Sequence, residues 1–108
     1  MVDDDCGATL HEELVKMAAS LQAVKIRKIR TEGHTDDRGA RAYNEALSKA
    51  RSQAVADVFI AEGFKPENVS VAGHAWDFPI ADNASREGRA ANRRVTIIVP
   101  GQALFESN

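Results

Sequence analysis

Cysteine is nearly absent from this chain. With Cys6 alone among 108 residues, an internal disulfide cannot form and a thiolate-rich zinc site is excluded. A basic excess is missing too, because the formal net charge is −2, which argues against nucleic-acid binding by bulk electrostatics. No apolar run approaches the ~20 residues that would span a bilayer. The opening "MVDDDCGATLHEEL" is acidic and has no apolar h-region, so it does not read as a signal peptide. Two origins fit: a cytosolic protein, or a domain cut from a longer exported chain. Repeats, low-complexity tracts and obvious linkers are lacking, so one small domain is expected.

What the chain does have is a periodic pattern. Residues 1–8 read as a loose acidic segment. Thr9 with Glu12 has the spacing of a capping box, and Leu10, Leu14, Met17, Ala18 and Leu21 recur at helical intervals. A first helix is predicted over roughly 10–22, followed by a strand over about 25–32 that ends at Gly33. Residues 41–62 form the longest periodic stretch. Tyr43, Leu47, Ala50, Ala54, Val58 and Ala61 trace an apolar stripe, widened by Val55 and Phe59. Gly63 and Pro66 stop it. "NVSVAGH" predicts a strand over 69–73, "SREGRAANRR" a short helix, and "RVTIIV" a strand over 94–99 closed by Pro100-Gly101. Residues 101–108 form an uncommitted tail. The alternation implies an open α/β sandwich, a sheet covered by helices on one face, with a first strand suspected to be missing.

Polarity concentrates in "TEGHTDDRGARAYNEALSKAR", residues 31–51. On a helix, Asn44, Ser48 and Arg51 share a stripe, because seven residues make almost two turns. The preceding loop brings Asp36 toward the same volume. A carboxylate and a guanidinium beside an amide and a hydroxyl suit a zwitterion: Arg51 offers a fork to a carboxylate, and Asp36 accepts from an ammonium. The plain alternative is structural, with Asp36 bridging Arg51 or Arg38 and Asn44 capping a turn.

Three spaced stretches, "GHTDDRGARAYNEALSKARSQAV", "VAGHAWDFPIADN" and "EGRAANRRVTIIV", together resemble the OmpA C-terminal-like family of peptidoglycan-binding domains. The pattern GHTD-x-x-G, N-x-x-LS-x-x-RA-x-x-V, P-x-x-x-N and GR-x-x-NRRV is followed in order over residues 9 to about 99. Ser52 replaces the usual Ala. The resemblance implies a mixed α/β sandwich, usually opened by a strand before the first helix. Here "MVDDDC" is a poor strand, and a bare edge would invite pairing with another chain, so a homodimer is compatible. The implied ligand is the diaminopimelate of the peptidoglycan stem peptide, gripped by Asp36 and Arg51, with Thr35, Asn44, Leu47 and Arg94 around the pocket. The implied role is a non-catalytic anchor in the periplasm or cell envelope, part of a membrane-associated parent protein, with no cofactor and no nucleic acid.

Two further readings belong to other classes. His34, Asp36 and His74 could be drawn as a metal-assisted hydrolase, but neither histidine has an H-x-x-x-H or H-E-x-x-H spacing and no activated nucleophile is evident. The fold could also serve as an interaction or dimerisation module with a degraded pocket, which intact Asp36 and Arg51 argue against. His34 is expected to pack and hydrogen-bond within its loop, Trp76 to be buried, and Arg86 and Arg89 to form surface or loop ion pairs. On alternation, Val95 and Ile97 should face one way and Arg94 the other, toward the site. Cys6 has no assigned role.

Overall fold

The computed structural model describes residues 2–100, with side chains from residue 10 onward. The helix α1 runs Val2–Ala23, β1 Ile29–His34, α2 Arg41–Ala61, β2 Val69–Gly73, α3 Arg86–Asn92 and β3 Arg94–Ile98. One 3-10 turn, Pro66–Asn68, leads into β2. The first helix is longer than its sequence pattern predicts. Thr9 therefore lies inside it rather than capping it, and the backbone expected to be loose over 1–8 is helical from Val2. The expected tail, 101–108, lies outside the described residues. Among those described, no strand precedes α1.

The sheet is mixed and has the order β2-β1-β3. The central strand pairs parallel with β2, Ile29 opposite Val69 and Gly33 opposite Gly73. It pairs antiparallel with β3, Arg30 opposite Ile98 and His34 opposite Arg94. Parallel pairing of β1 and β2 requires a crossover, and α2 supplies it. Leu14 and Ala18 of α1, Ile29 of β1, Val55 and Phe59 of α2, and Phe64 form the core. Val95, Ile97 and Val99 pack against it, as alternation predicts. The Phe59 and Phe64 rings meet edge to face at 5.5 Å.

The buried face of α2 differs from the apolar stripe expected of it. Buried positions are Asn44, Ser48, Ser52, Val55, Ala56 and Phe59. Tyr43, Ala50, Ala54 and Ala61 are exposed instead. The reason is the sheet beneath. A Cβ on Gly33 would lie 1.9 Å from the Ser48 carbonyl oxygen, and one on Gly73 would lie 2.6 Å from the Lys49 amide nitrogen. Helix and strands thus touch backbone to backbone, and only small polar side chains fit between them. Ser52 is accommodated in the same way: its hydroxyl is 2.6 Å from that of Thr31, which also reaches the Ser52 carbonyl at 3.1 Å.

Candidate functional site

The site forms where β1 runs out. Parallel strands direct their C-terminal ends to one edge, and β1 there continues into Thr35 and Asp36, both buried. The Thr35 amide donates to the Ala75 carbonyl at 2.8 Å, extending the ladder by one step beyond the sheet. Its hydroxyl donates to the Asp36 carbonyl at 2.9 Å. Ser48 accepts from the Ala75 amide at 3.1 Å, so α2 and both strand ends are stitched together. Asn44 takes the structural role open to it: its amide donates to the Arg38 carbonyl at 2.7 Å and to that of Ala40 at 3.0 Å. It shapes the 36–40 loop, in which Gly39 has a positive φ of 89°.

Asp36 is the charged centre. One carboxylate oxygen accepts from the Arg38 amide at 3.0 Å and the other from the Arg93 guanidinium at 2.8 Å. Burial pushes its pKa up, but those two donors outweigh burial and hold the carboxyl below its ordinary range. Asp36 is therefore ionised at neutral pH despite being only 8% exposed. Arg93 is the residue that sequence reasoning missed. The usable signal was the adjacent pair of arginines before β3. Once Val95 faces the core, Arg94 leaves on the other face of the sheet, while Arg93, at the end of α3, swings toward Asp36.

Arg93, Arg51 and Arg94 line one cleft of about 560 Å³ between α1, α2 and β3. Its other walls are apolar, with Leu14, Met17, Val55 and Ile97, and Glu13 stands at the rim. Asp36 and Arg51 are thus related through Arg93, which bonds the first and shares a cleft wall with the second. Arg94 lines the cleft but directs its guanidinium to the Phe78 carbonyl at 3.0 Å and the Asn92 carbonyl at 3.3 Å. Leu47 is half-buried on α2.

The loop over 74–85 closes the same edge of the domain. Asn92 is fully buried and pins it. Its side-chain oxygen accepts from the Ile80 and Ala81 amides at 2.7 and 3.0 Å, and its nitrogen donates to Asn83 at 2.7 Å. Arg89, expected in an ion pair, instead donates to the Asn83 and Ala84 carbonyls. Trp76 is half-buried beneath the Arg41 guanidinium, 5.1 Å from its ring centre. Arg41 forks onto Asp77 at 2.7 and 2.9 Å.

His34 and His74 lie on the sheet face away from α2. Their rings are 5.3 Å apart, and Phe78 stands edge-on to both. His34 packs as expected but does not hydrogen-bond as expected: its Nδ1 is buried with no partner among the described residues. Burial lowers its pKa, and the charges of Arg94 and His74 lower it further against the opposing Glu32. The drawn trio of His34, Asp36 and His74 is not assembled. His34 faces His74 and Phe78, while Asp36 is engaged by Arg93. Among the described residues, no three His, Cys, Asp or Glu side chains are grouped to hold a metal ion.

Comparison with known proteins agrees with this architecture. The OmpA family model matches residues 7–93. The outer-membrane lipoprotein YfiB of Pseudomonas aeruginosa is 48% identical over 89 residues, 82% of this chain and 53% of YfiB. The peptidoglycan-binding protein ArfA of Mycobacterium bovis is 38% identical over 97 residues, 86% of this chain and 30% of ArfA. The chain therefore spans about half the length of the first of these relatives and less of the second. Among solved structures, the cell wall anchor of the T6SS from Pseudomonas aeruginosa superposes with a TM-score of 0.72 at 39% identity, covering 82% of this chain and 64% of that one. The C-terminal domain of Helicobacter pylori MotB gives 0.79 at 28% identity, covering 91% and 78%. With a family model spanning most of its length and a matching fold, the chain belongs to the OmpA family.

Proposed function

We propose that this domain holds peptidoglycan without cutting it, by gripping the diaminopimelate of the stem peptide, and so anchors an envelope protein to the cell wall on its periplasmic side. The observation that carries the reading is the buried, ionised Asp36 bonded to Arg93, with Arg93 and Arg51 in one cleft wall. The side chain of diaminopimelate ends in a carbon bearing an ammonium and a carboxylate. Arg51 and Arg93 supply guanidinium forks to the carboxylate, and Asp36 accepts from the ammonium. The bond between Asp36 and Arg93 keeps both charges satisfied while the site is empty. A zwitterion exchanges with it, pairing each charge with its own opposite one. That ArfA is a peptidoglycan-binding protein and the secretion-system protein a cell wall anchor supports the same ligand class.

Sedimentation with purified sacculi tests this. The wild-type domain should pellet with them and Arg51→Ala should stay in the supernatant. Equal pelleting of the two proteins would show that the cleft is not the binding site.

A further inference from the structure

The helix α2 runs for 21 residues, about 30 Å, away from the Asp36 site. Where it ends, a second cleft of about 470 Å³ opens. Its floor is apolar, made by Ile26 and the buried Phe64. Its walls carry two cations, Arg27 and Lys65, and two amides, Gln22 and Asn68. Among the described residues, no carboxylate lines it. The nearest acids in sequence, Glu62 and Glu67, are not among its lining residues.

The cleft is built rather than incidental. The Gln22 side chain crosses from α1 to the end of α2 and donates to the Glu62 carbonyl at 2.8 Å. Gly63 makes room for it: its φ is +116°, and a Cβ there would meet the Gln22 amide at 3.2 Å. Lys25 adopts a left-handed φ of 65°, so the chain turns sharply out of α1 and presents "KIRK", residues 25–28, at this end. Lys25 and Lys28 are exposed beside Arg27. The two poles of the domain differ in how cations are balanced. At the Asp36 end, Arg93 and Arg41 each hold a carboxylate of the protein itself. Among the described residues, Arg27 and Lys65 are in no ion pair.

We propose that this second cleft is a binding site for a phosphate-bearing anion. Arg27 offers a planar fork and Lys65 a point charge, and the two amides add neutral donors, a set suited to a group with several acceptor oxygens. Ile26 and Phe64 offer a surface for the carbon skeleton of a phosphate ester. The same chemistry is presented by a phospholipid headgroup and by a small soluble phosphate ester. Binding weakens with salt, because the cations are exposed. The site is independent of the peptidoglycan reading, and it shares no lining residue with the cleft that holds Arg51 and Arg93.

The test uses the folded domain with two probes. Inorganic phosphate is titrated to about 10 mM, enough to fill most of a millimolar site, while backbone amide shifts are followed. In parallel the protein is sedimented with vesicles of phosphatidylcholine, with and without phosphatidylglycerol. Saturable shifts at Arg27, Gly63, Lys65 and Asn68, with none at Asp36, are expected. They should weaken at least tenfold in the Arg27→Gln/Lys65→Gln double variant, whose melting temperature should match wild type. Sedimentation only with phosphatidylglycerol, lost in that variant, assigns the source to a lipid headgroup. Phosphate shifts without vesicle binding assign it to a soluble ester. An absence of saturable shifts together with an absence of vesicle binding overturns the proposal, as does undiminished binding of both probes by the double variant.

Discussion

The two halves of α2 bury different chemistry. From Arg41 to Ser52 the buried positions are Asn44, Ser48 and Ser52; from Val55 onward they are Val55, Ala56 and Phe59. Both halves rest on the same sheet face. Under the C-terminal half lies Ile29, with Leu14 of α1 in the same cluster, and the contact is an ordinary apolar core. Under the N-terminal half lie Gly33, Gly73 and Thr31, and the contact is backbone against backbone with hydroxyls between. Apolar burial is non-directional and supplies stability. A hydrogen-bonded contact fixes position and is costly when a partner is missing. The apolar half therefore holds the domain together, and the polar half sets where the Asp36 loop stands.

The largest effect that would sharpen this contrast is in the apolar half. Phe59 is fully buried, and Phe59→Ala should cost about 3–5 kcal/mol of stability, read from urea denaturation. Whatever fraction remains folded should still pellet with sacculi, because the site end does not touch this ring. Next comes Gly33→Ala. The new methyl would lie 1.9 Å from the Ser48 carbonyl, so helix or strand must move, at roughly 3 kcal/mol. Here stability and sacculus binding should fall together, since β1 carries Asp36. A Gly33→Ala protein that binds normally would break the assignment of positioning to the polar half.

The smallest effect concerns pH. Burial, then Arg94 and His74, lower the His34 pKa from its usual 6.5. The fold thus favours neutral imidazole. Stability present above about pH 6.5 is lost as pH falls from there through the lower folded value. His34→Phe should flatten the melting temperature over that range while keeping a ring against His74 and Phe78. An unchanged pH profile would remove His34 from the account.

The existence and order of the helices and three strands were legible, because alternation and Gly/Pro punctuation are local signals. Val69–Gly73 and the stop at Gly63 follow directly from them. But β1 runs Ile29–His34 rather than over 25–32, since Lys25 turns the chain out of α1 before the strand can start. The buried face of the first half of α2 was not legible. A hydrophobic pattern selects Tyr43 and Ala50, and nothing local shows that two strand glycines will admit Ser48 and Asn44 instead. The length of α1 was hidden for a similar reason: an acidic stretch carries no apolar period. In the proposed site, Asp36 and Arg51 were chosen by residue type and by family resemblance. Arg93 was not, because choosing between two adjacent arginines depends on where α3 ends and on the face that Val95 takes. The 74–85 loop was legible only as a motif, since the bonds from Asn92 to Ile80, Ala81 and Asn83 connect residues nine to twelve apart.

Calorimetric titration of the domain with free diaminopimelate tests the central claim most directly. Saturable binding is predicted for the wild-type protein, lost in Asp36→Ala and in Arg51→Ala and weakened in Arg93→Ala, with all three variants folded. A wild-type protein that gives no binding heat, or an Arg51→Ala protein that binds as wild type does, would contradict it.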